Sequence, residues 1–340
     1  MQTSIINLIR EGLLEKKENL QNWQVATPDA EKQIQLGSVD ETAVDAELKV
    51  IDTSLEKMEE GTYGICEICH ESVDTELLQM DFTATVCLGH YSEEELRQLE
   101  SELELSQVVQ RALLPTQVPS IPKYDIAAFS RPAQIVTGDY FDFLQFEDGT
   151  YGFVVGDVSG HGVSAGMLIA SLQTVFHTLA PEIDSTVDVL KRINRLYLHN
   201  INFTTFVTLF FARLDPQARL LRYASAGHNP PLLYRSTTRE EAWLRPTGPA
   251  IGLVDDFGFQ YKDVQLSEGD ILLLYTDGLI EALDSQQKEQ FGYDRLLDVV
   301  RQNEGMHANE LVQKVRQALN DFTQGALLAD DITLIVCRVN

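Results

Sequence analysis

The sequence predicts an α+β protein: a C-terminal domain of packed antiparallel sheets with helices, preceded by a helical, cysteine-bearing segment. Three observations carry this. Past residue 123 short apolar runs recur, at 151–158 (YGFVVGDV), 206–214 (FVTLFFARL), 220–227 (LLRYASAG), 270–278 (DILLLYTDG) and 331–339 (DITLIVCRV), with helical patterns between them at 162–179, 186–200, 293–302 and 308–322. Pro115, Pro119 and Pro122 mark the change of texture. Before them, Cys66, Cys69 and Cys87 crowd into a short window, leaving Cys337 alone near the end. With 340 residues the chain has room for about two domains of roughly 150 residues.

The elements follow in order. Residues 2–23 read as an amphipathic helix, with Ile6, Ile9, Leu13 and Leu20 on one stripe and Lys16 interrupting it. Residues 24–40 are polar, contain Pro28 and Gly37, and read as a loop. Val44, Leu48, Ile51, Leu55 and Met58 then follow at spacings of 4, 3, 4 and 3, a heptad seam. Two readings stay open: an α-hairpin or short coiled coil, packed within the chain or as a homodimer through these N-terminal helices, or one amphipathic helix on a core. Gly61 ends that helix. Ser92-Glu-Glu-Glu95 is a capping-box signature for a second helix that carries Leu96, Leu99, Leu103, Val109 and Leu113 and runs to Pro115. The expected organisation is a helical, cysteine-bearing module over 1–91, a helical linker over 92–122 and the sheet domain over 123–340.

Asp plus Glu number 52 and Lys plus Arg 26, a formal net charge of −26. Such a chain repels a phosphate backbone and an anionic bilayer, so neither nucleic acid nor membrane is an expected partner. No run approaches the ~18 apolar residues of a spanning helix. The N-terminus lacks a secretion-signal pattern, and a cytoplasmic protein is expected. Carboxylates are also the ligands hard divalent cations prefer.

Cys66-x-x-Cys69 is followed after 17 residues by Cys87-x-x-His90. Two such pairs close a tetrahedral zinc site with no open position, so a structural zinc is the natural reading. Redox thiols or buried cysteines are the alternative, and His70 is a bystander. The window LEKMEEGTYGICEICHESV (55–73) resembles the TraR/DksA-type zinc finger, over roughly residues 40–91. His90 stands where that family usually has a fourth cysteine, and His70 where it usually has glycine. The family's best-known members bind RNA polymerase through acidic residues at a coiled-coil tip, a role for which Asp40 and Asp45 are only loosely placed.

Past residue 123, aspartates recur where an apolar run meets a glycine or a turn: Asp139 in GDYFDF, Asp157 in VVGDVSGHG, Asp277 in LLLYTDG, and Asp330 with Asp331 in ADDITLIV. Each alone reads as a turn. Four such sites in one domain point to a shared metal cluster. Carboxylates without zinc-type ligands favour two magnesium or manganese ions, roughly 3.5–4 Å apart, that activate a bridging water and clamp a phosphoryl group.

These motifs occur in order with QRALLP (110–115), RPAQIVTGDYFDF (131–143), GDVSGHGVSAGML (156–168), TTFVTLFFARLD (204–215), YASAGHNPPLLY (223–234), TGPAIGL (247–253), YTDGLIEA (275–282) and ADDITLIV (329–336). The span from about 105 to 340 resembles the PPM-type serine/threonine phosphatases, in their SpoIIE/RsbU branch. The resemblance implies an α-β-β-α sandwich with two metals in a cleft at one end of the sheets. It implies that Asp157 bridges both ions with the Val158 carbonyl completing one shell, that Asp139 serves one ion, and that Asp277 and Asp330 hold the other. Asp331 is a further ligand candidate or a turn residue, and Asp142 a holder of metal-bound water. Thr137 replaces the first of the branch's two usual glycines.

Four other residues invite roles. His161 reads as a turn residue more than a general acid, and His228 as a loop brace. Arg131 reads equally as a phosphate contact or a surface arginine, and Cys337 as a buried thiol. The reading is a metal-dependent hydrolase of phosphoserine or phosphothreonine. The resemblance implies a phosphorylated anti-anti-sigma (STAS-type) partner as substrate, with the zinc module regulatory. Two rivals are a catalytically silent phosphoprotein-binding scaffold and a zinc-hairpin transcription regulator contacting RNA polymerase.

Overall fold

A computed structural model describes residues 41–74, 77–78, 82–133, 136–159, 163–200, 206–254, 258–286, 288–325 and 330–340, with Ile6, Ile9, Arg10, Leu13, Leu14, Lys17 and Gln21 before them. Those seven are helical; the rest of the helix expected over 2–23, and the loop expected over 24–40, lie outside the described residues. The chain divides into two compact units, Met1–Glu102 and Leu103–Asn340.

In the first unit, α1 (Glu41–Glu59) carries the heptad seam. Ile51 and Leu55 are buried with Leu13, so the middle of the seam packs within the chain. Gly61 at φ +70° ends the helix, and the Thr62 N–H returns to the Lys57 carbonyl, which satisfies a last-turn acceptor. Tyr63, Cys66, Val73, Leu77 and Leu78 then form a small core under the cysteine-bearing turn.

α2 (Glu93–Leu113) leads into the sheet unit. Strands whose residues are apolar on both faces need cover on both. Among the described residues there are ten: β1 (Tyr124–Arg131), β2 (Asp139–Gln145), β3 (Tyr151–Val158), β4 (Val207–Asp215), β5 (Leu220–Ala226), β6 (Leu232–Arg235), β7 (Glu240–Trp243), β8 (Lys262–Gln265), β9 (Ile271–Tyr275) and β10 (Ile332–Val339). They form two antiparallel sheets in the orders β2-β3-β4-β5-β8 and β1-β10-β9-β6-β7. The sheets face each other across a core that includes Phe141, Phe153, Val155, Phe210, Leu272, Leu274 and Ile335. The alternate residues of the same strands face outward onto helices. Tyr140, Val154, Leu209 and Phe211 meet α3 (Val163–Leu179) and α4 (Thr186–Asn200), where Phe176 stands edge-on to Phe211 at 4.8 Å between ring centroids. Ala127, Leu273, Leu334 and Val336 meet α6 (Gly292–Gln302) and α7 (Ala308–Thr323); a single turn, α5 (Asp277–Ile280), follows β9. The expected α-β-β-α sandwich is the architecture observed.

Candidate active site

At one end of the sandwich the inter-sheet face turns from apolar to polar. Asp139 begins β2 in the same alternation as Phe141 and Phe143, and Asp157 continues that of Phe153 and Val155. The two aspartates are register partners across β2 and β3. From the opposite sheet, Thr276 follows Leu272 and Leu274, and Thr333 precedes Ile335; both threonines are fully buried. The Thr276 hydroxyl donates to Asp139 Oδ2 at 2.8 Å, and the Thr333 N–H donates to Thr276 Oγ1 at 2.9 Å. Asp139 is thereby fixed from both sheets.

Asp277 and Asp330 are joined by a close approach. A Cβ on Gly278 would sit 2.0 Å from the Asp331 carbonyl oxygen and 3.3 Å from Asp330 Cβ. Only glycine allows the two turns to touch there. Asp331, offered by the sequence as a ligand candidate or a turn residue, is buried. Its carboxylate accepts the N–H groups of Ala133, at 2.7 Å, and Gly138. It ties the β1–β2 connection to β10, whereas Asp330 beside it is exposed.

Burial and the negative charges of Asp139, Asp277, Asp330 and Asp331 push the Asp157 carboxyl up to about 9. Burial, with Asp331 and Asp330 adding to it, raises Asp139 well above the usual carboxylate range, and burial raises Asp277. Crowded acids of this kind, shifted by desolvation and one another, are what divalent cations relieve. The donor set is all oxygen, as magnesium and manganese prefer. Val158 ends β3 beside Asp157, its N–H on the Gly138 carbonyl at 3.0 Å.

Asp142 does not join this group. It lies three residues beyond Asp139 in the same strand, so it faces the helix layer instead. There it accepts from the Tyr140 hydroxyl at 2.9 Å and pairs with His177 Nε2 at 2.6 Å. The expectation that it holds metal-bound water is corrected by that orientation. His161 lies outside the described residues. His228 is fully buried, and burial lowers it to about 4. Neutral at pH 7, it donates from Nε2 to the Tyr275 carbonyl at 3.1 Å, which leaves Nδ1 to accept from the Thr208 hydroxyl at 2.8 Å. Thr208 is the register partner of Asp157, and Tyr275 precedes Thr276, so this imidazole spans the sheets directly behind the carboxylates. Cys337 is buried in β10, and burial pushes its thiol up to about 12.

Two supporting residues are absent from the sequence reading. Thr276 is one. The other is Gln110 on α2, whose side-chain amide donates to the Thr137 carbonyl at 2.6 Å and accepts the Thr137 N–H at 2.8 Å. That double bond steadies the chain two residues before Asp139. Neither stands out in the sequence, because a buried threonine or glutamine has no spacing pattern of its own.

In the first unit, one ligand atom each from Cys66, Cys69, Cys87 and His90 lies within 4.8 Å of the others, the one such group of three or more among the described residues. No group of carboxylates among the described residues is as compact. Cys69 and Cys87 sulfurs are 3.4 Å apart, hydrogen-bonded and not joined in a disulfide. Burial raises the Cys66 thiol, but backbone N–H groups of Cys69, Cys87 and Ile68 outweigh it and bring it to about 6. Cys87, hydrogen-bonded to the Cys66 and Cys69 sulfurs, is pushed up to about 12. His70 is exposed at φ +59°, in the left-handed region that favours glycine.

Comparison with known proteins agrees with this architecture. Residues 147–340 match the family model described as Stage II sporulation protein E (SpoIIE). The phosphoserine phosphatase RsbU of Bacillus subtilis is 29% identical over 269 residues, which cover 76% of this chain and 78% of RsbU. Among solved structures, the SiaA-PP2C domain of Pseudomonas aeruginosa superposes with a TM-score of 0.64 at 21% identity, over 72% of this chain and 99% of that one, and shows the fold. The RsbU and RsbW domains of Rv1364c from Mycobacterium tuberculosis superpose with a TM-score of 0.57 at 26% identity, over 67% of this chain and 63% of that one.

Proposed function

The chain belongs to the SpoIIE family, and from that premise we propose that it is a metal-dependent protein phosphatase that removes phosphate from phosphoserine or phosphothreonine by direct attack of water. The observation that carries the reading is the register pair Asp139–Asp157, facing Asp277 and Asp330 from the opposite sheet at the polar end of the inter-sheet core. Asp139, Asp157 with the Val158 carbonyl, Asp277 and Asp330 would hold two magnesium or manganese ions. When bound, such ions lower the pKa of water and neutralise phosphoryl charge. The chain's own contribution is placement. Thr276 fixes one Asp139 oxygen, Asp331 locks the backbone before Asp139, and His228 holds the two sheets in register behind them. No side-chain nucleophile is required, so no phosphoenzyme is expected.

The substrate is a phosphorylated regulatory protein. The RsbU likeness supports an anti-anti-sigma (STAS-type) partner. The cluster of Cys66, Cys69, Cys87 and His90 is suited to one structural zinc, its atoms already within a coordination sphere. We assign residues 1–91 to that zinc module, 92–122 to a helical linker and 123–340 to the phosphatase domain. Through Gln110, α2 touches the loop leading to Asp139 and gives the linker a route to catalysis.

The test is hydrolysis of p-nitrophenyl phosphate by the full chain with manganese, with and without Asp157→Asn. Losing an outer-shell partner of a metal lowers activity roughly 10–100-fold, so losing this ligand should lower it more than about 100-fold. Equal turnover by both proteins would overturn the reading.

A further inference from the structure

Beside the carboxylates the sign of the surface changes. A groove of about 380 Å³ runs between the end of β1, the start of β10 and the last three turns of α7. Arg131 and Arg316 line it with Gln313, Gln317 and Asn320, and no Asp or Glu is among its described lining residues. In a chain where acids outnumber bases 52 to 26, an acid-free groove holding two arginines is a local inversion of charge.

Arg316 is preset. Its guanidinium lies over the Phe129 ring, 4.1 Å from the centroid, and donates to Gln313 Oε1 at 2.9 Å. Arg131 lies two residues beyond Phe129 in β1, on the same face of the strand. Among the described residues neither guanidinium is in an ion pair. A stacked guanidinium keeps its outer N–H fork for a carboxylate. The groove also adjoins the reaction centre through the chain itself. Arg131 pairs in register with Ile332, the residue after Asp331, and the Ala133 N–H binds the Asp331 carboxylate.

Resting on the phosphatase reading above, we propose that this groove is a substrate-docking site that selects phosphoproteins with acidic side chains flanking the phosphorylated residue. The flank lies along α7 with its carboxylates on Arg131 and Arg316, while the phosphoryl group reaches the aspartates next door. A protein of net charge −26 otherwise repels acidic partners. The two arginines supply the local attraction, and binding there weakens with salt.

The experiment uses the full chain with manganese and two phosphoserine peptides of equal length, one flanked by Asp and Glu, the other by Gly and Ser. p-Nitrophenyl phosphate, which has no flank, is the control. The acidic peptide should be preferred about tenfold in kcat/KM, through KM, and the preference should shrink as salt is raised. Arg316→Glu should abolish it while p-nitrophenyl phosphate turnover stays within about twofold, and Arg316→Ala and Arg131→Gln should each reduce it. No flank preference in the parent protein, or a preference that survives Arg316→Glu, overturns the docking site. So does an Arg316→Glu protein that loses the small substrate equally. A parent protein inactive on all three substrates would instead defeat the phosphatase reading, and the docking site with it.

Discussion

The two ligand clusters proposed for this protein are built in opposite ways. Cys66, Cys69, Cys87 and His90 come from one stretch of the chain, 66–90, and their ligand atoms lie within 4.8 Å of one another. Asp139, Asp157, Asp277 and Asp330 come from four strand ends and depend on two sheets being correctly stacked. The first set is soft, closed and local, so metal binding there is equivalent to folding a small unit. The second is hard, wider and non-local, so a preformed scaffold must hold mutually repelling groups in place. A site assembled locally suits structure; one assembled at the rim of a large core can stay open to substrate and still be rigid.

The contrast can be broken from either side. Asp157→Asn carries the largest expected effect: hydrolysis falls more than about 100-fold while bound zinc, read by elemental analysis, is unchanged. Cys69→Ser is its mirror. Zinc content should drop from ~1 per chain to none and the N-terminal unit should lose its cooperative melting, whereas p-nitrophenyl phosphate turnover stays within about threefold. Parallel loss of zinc and catalysis in both variants would mean the two clusters are not independent.

A third perturbation probes the scaffold behind the carboxylates. His228 takes up a proton near 6.5 when unfolded and only near 4 when folded. Between those values the unfolded imidazole binds more protons, so the contribution of His228 to stability is full above pH 6.5 and is lost as pH falls toward 4. The loss should approach about 3 kcal/mol by chemical denaturation. His228→Gln should flatten that part of the profile and lower stability at pH 7 by about 1–3 kcal/mol. An unchanged pH profile would show that the imidazole is not the group responsible.

The smallest effect is a gain. His70 sits at φ +59° in the turn between Cys69 and the next strand-like bridge. His70→Gly should raise the melting stability of the zinc module by about 1 kcal/mol, with zinc retained. Loss of zinc in that variant would overturn the reading of His70 as a bystander.

Much of this architecture is legible in the sequence. The helical patterns at 186–200 and 308–322 correspond to Thr186–Asn200 and Ala308–Thr323, because amphipathic periodicity is local information. The aspartates at strand ends announce themselves by the apolar runs that precede them. Asp142 shows where such reading slips: nearness in sequence suggested a shared site, although a spacing of three in a strand puts it on the other face. The adjacent pair Asp330 and Asp331 was ambiguous for a different reason. Only the position of Ala133 and Gly138, far away in sequence, shows that Asp331 is the one tied to the β1–β2 connection. Gln110, Thr276 and the groove beside Arg316 are tertiary facts, since each depends on which elements the sandwich places side by side.

The contact between Gly278 and the Asp331 carbonyl has a wider consequence. A hydrogen in place of a side chain is the spacer between the turn that follows β9 and the residues that lead into its neighbour β10. Any redesign meant to retune the proposed site must leave this position alone, since even a methyl group there would collide with the Asp331 carbonyl and press on Asp330.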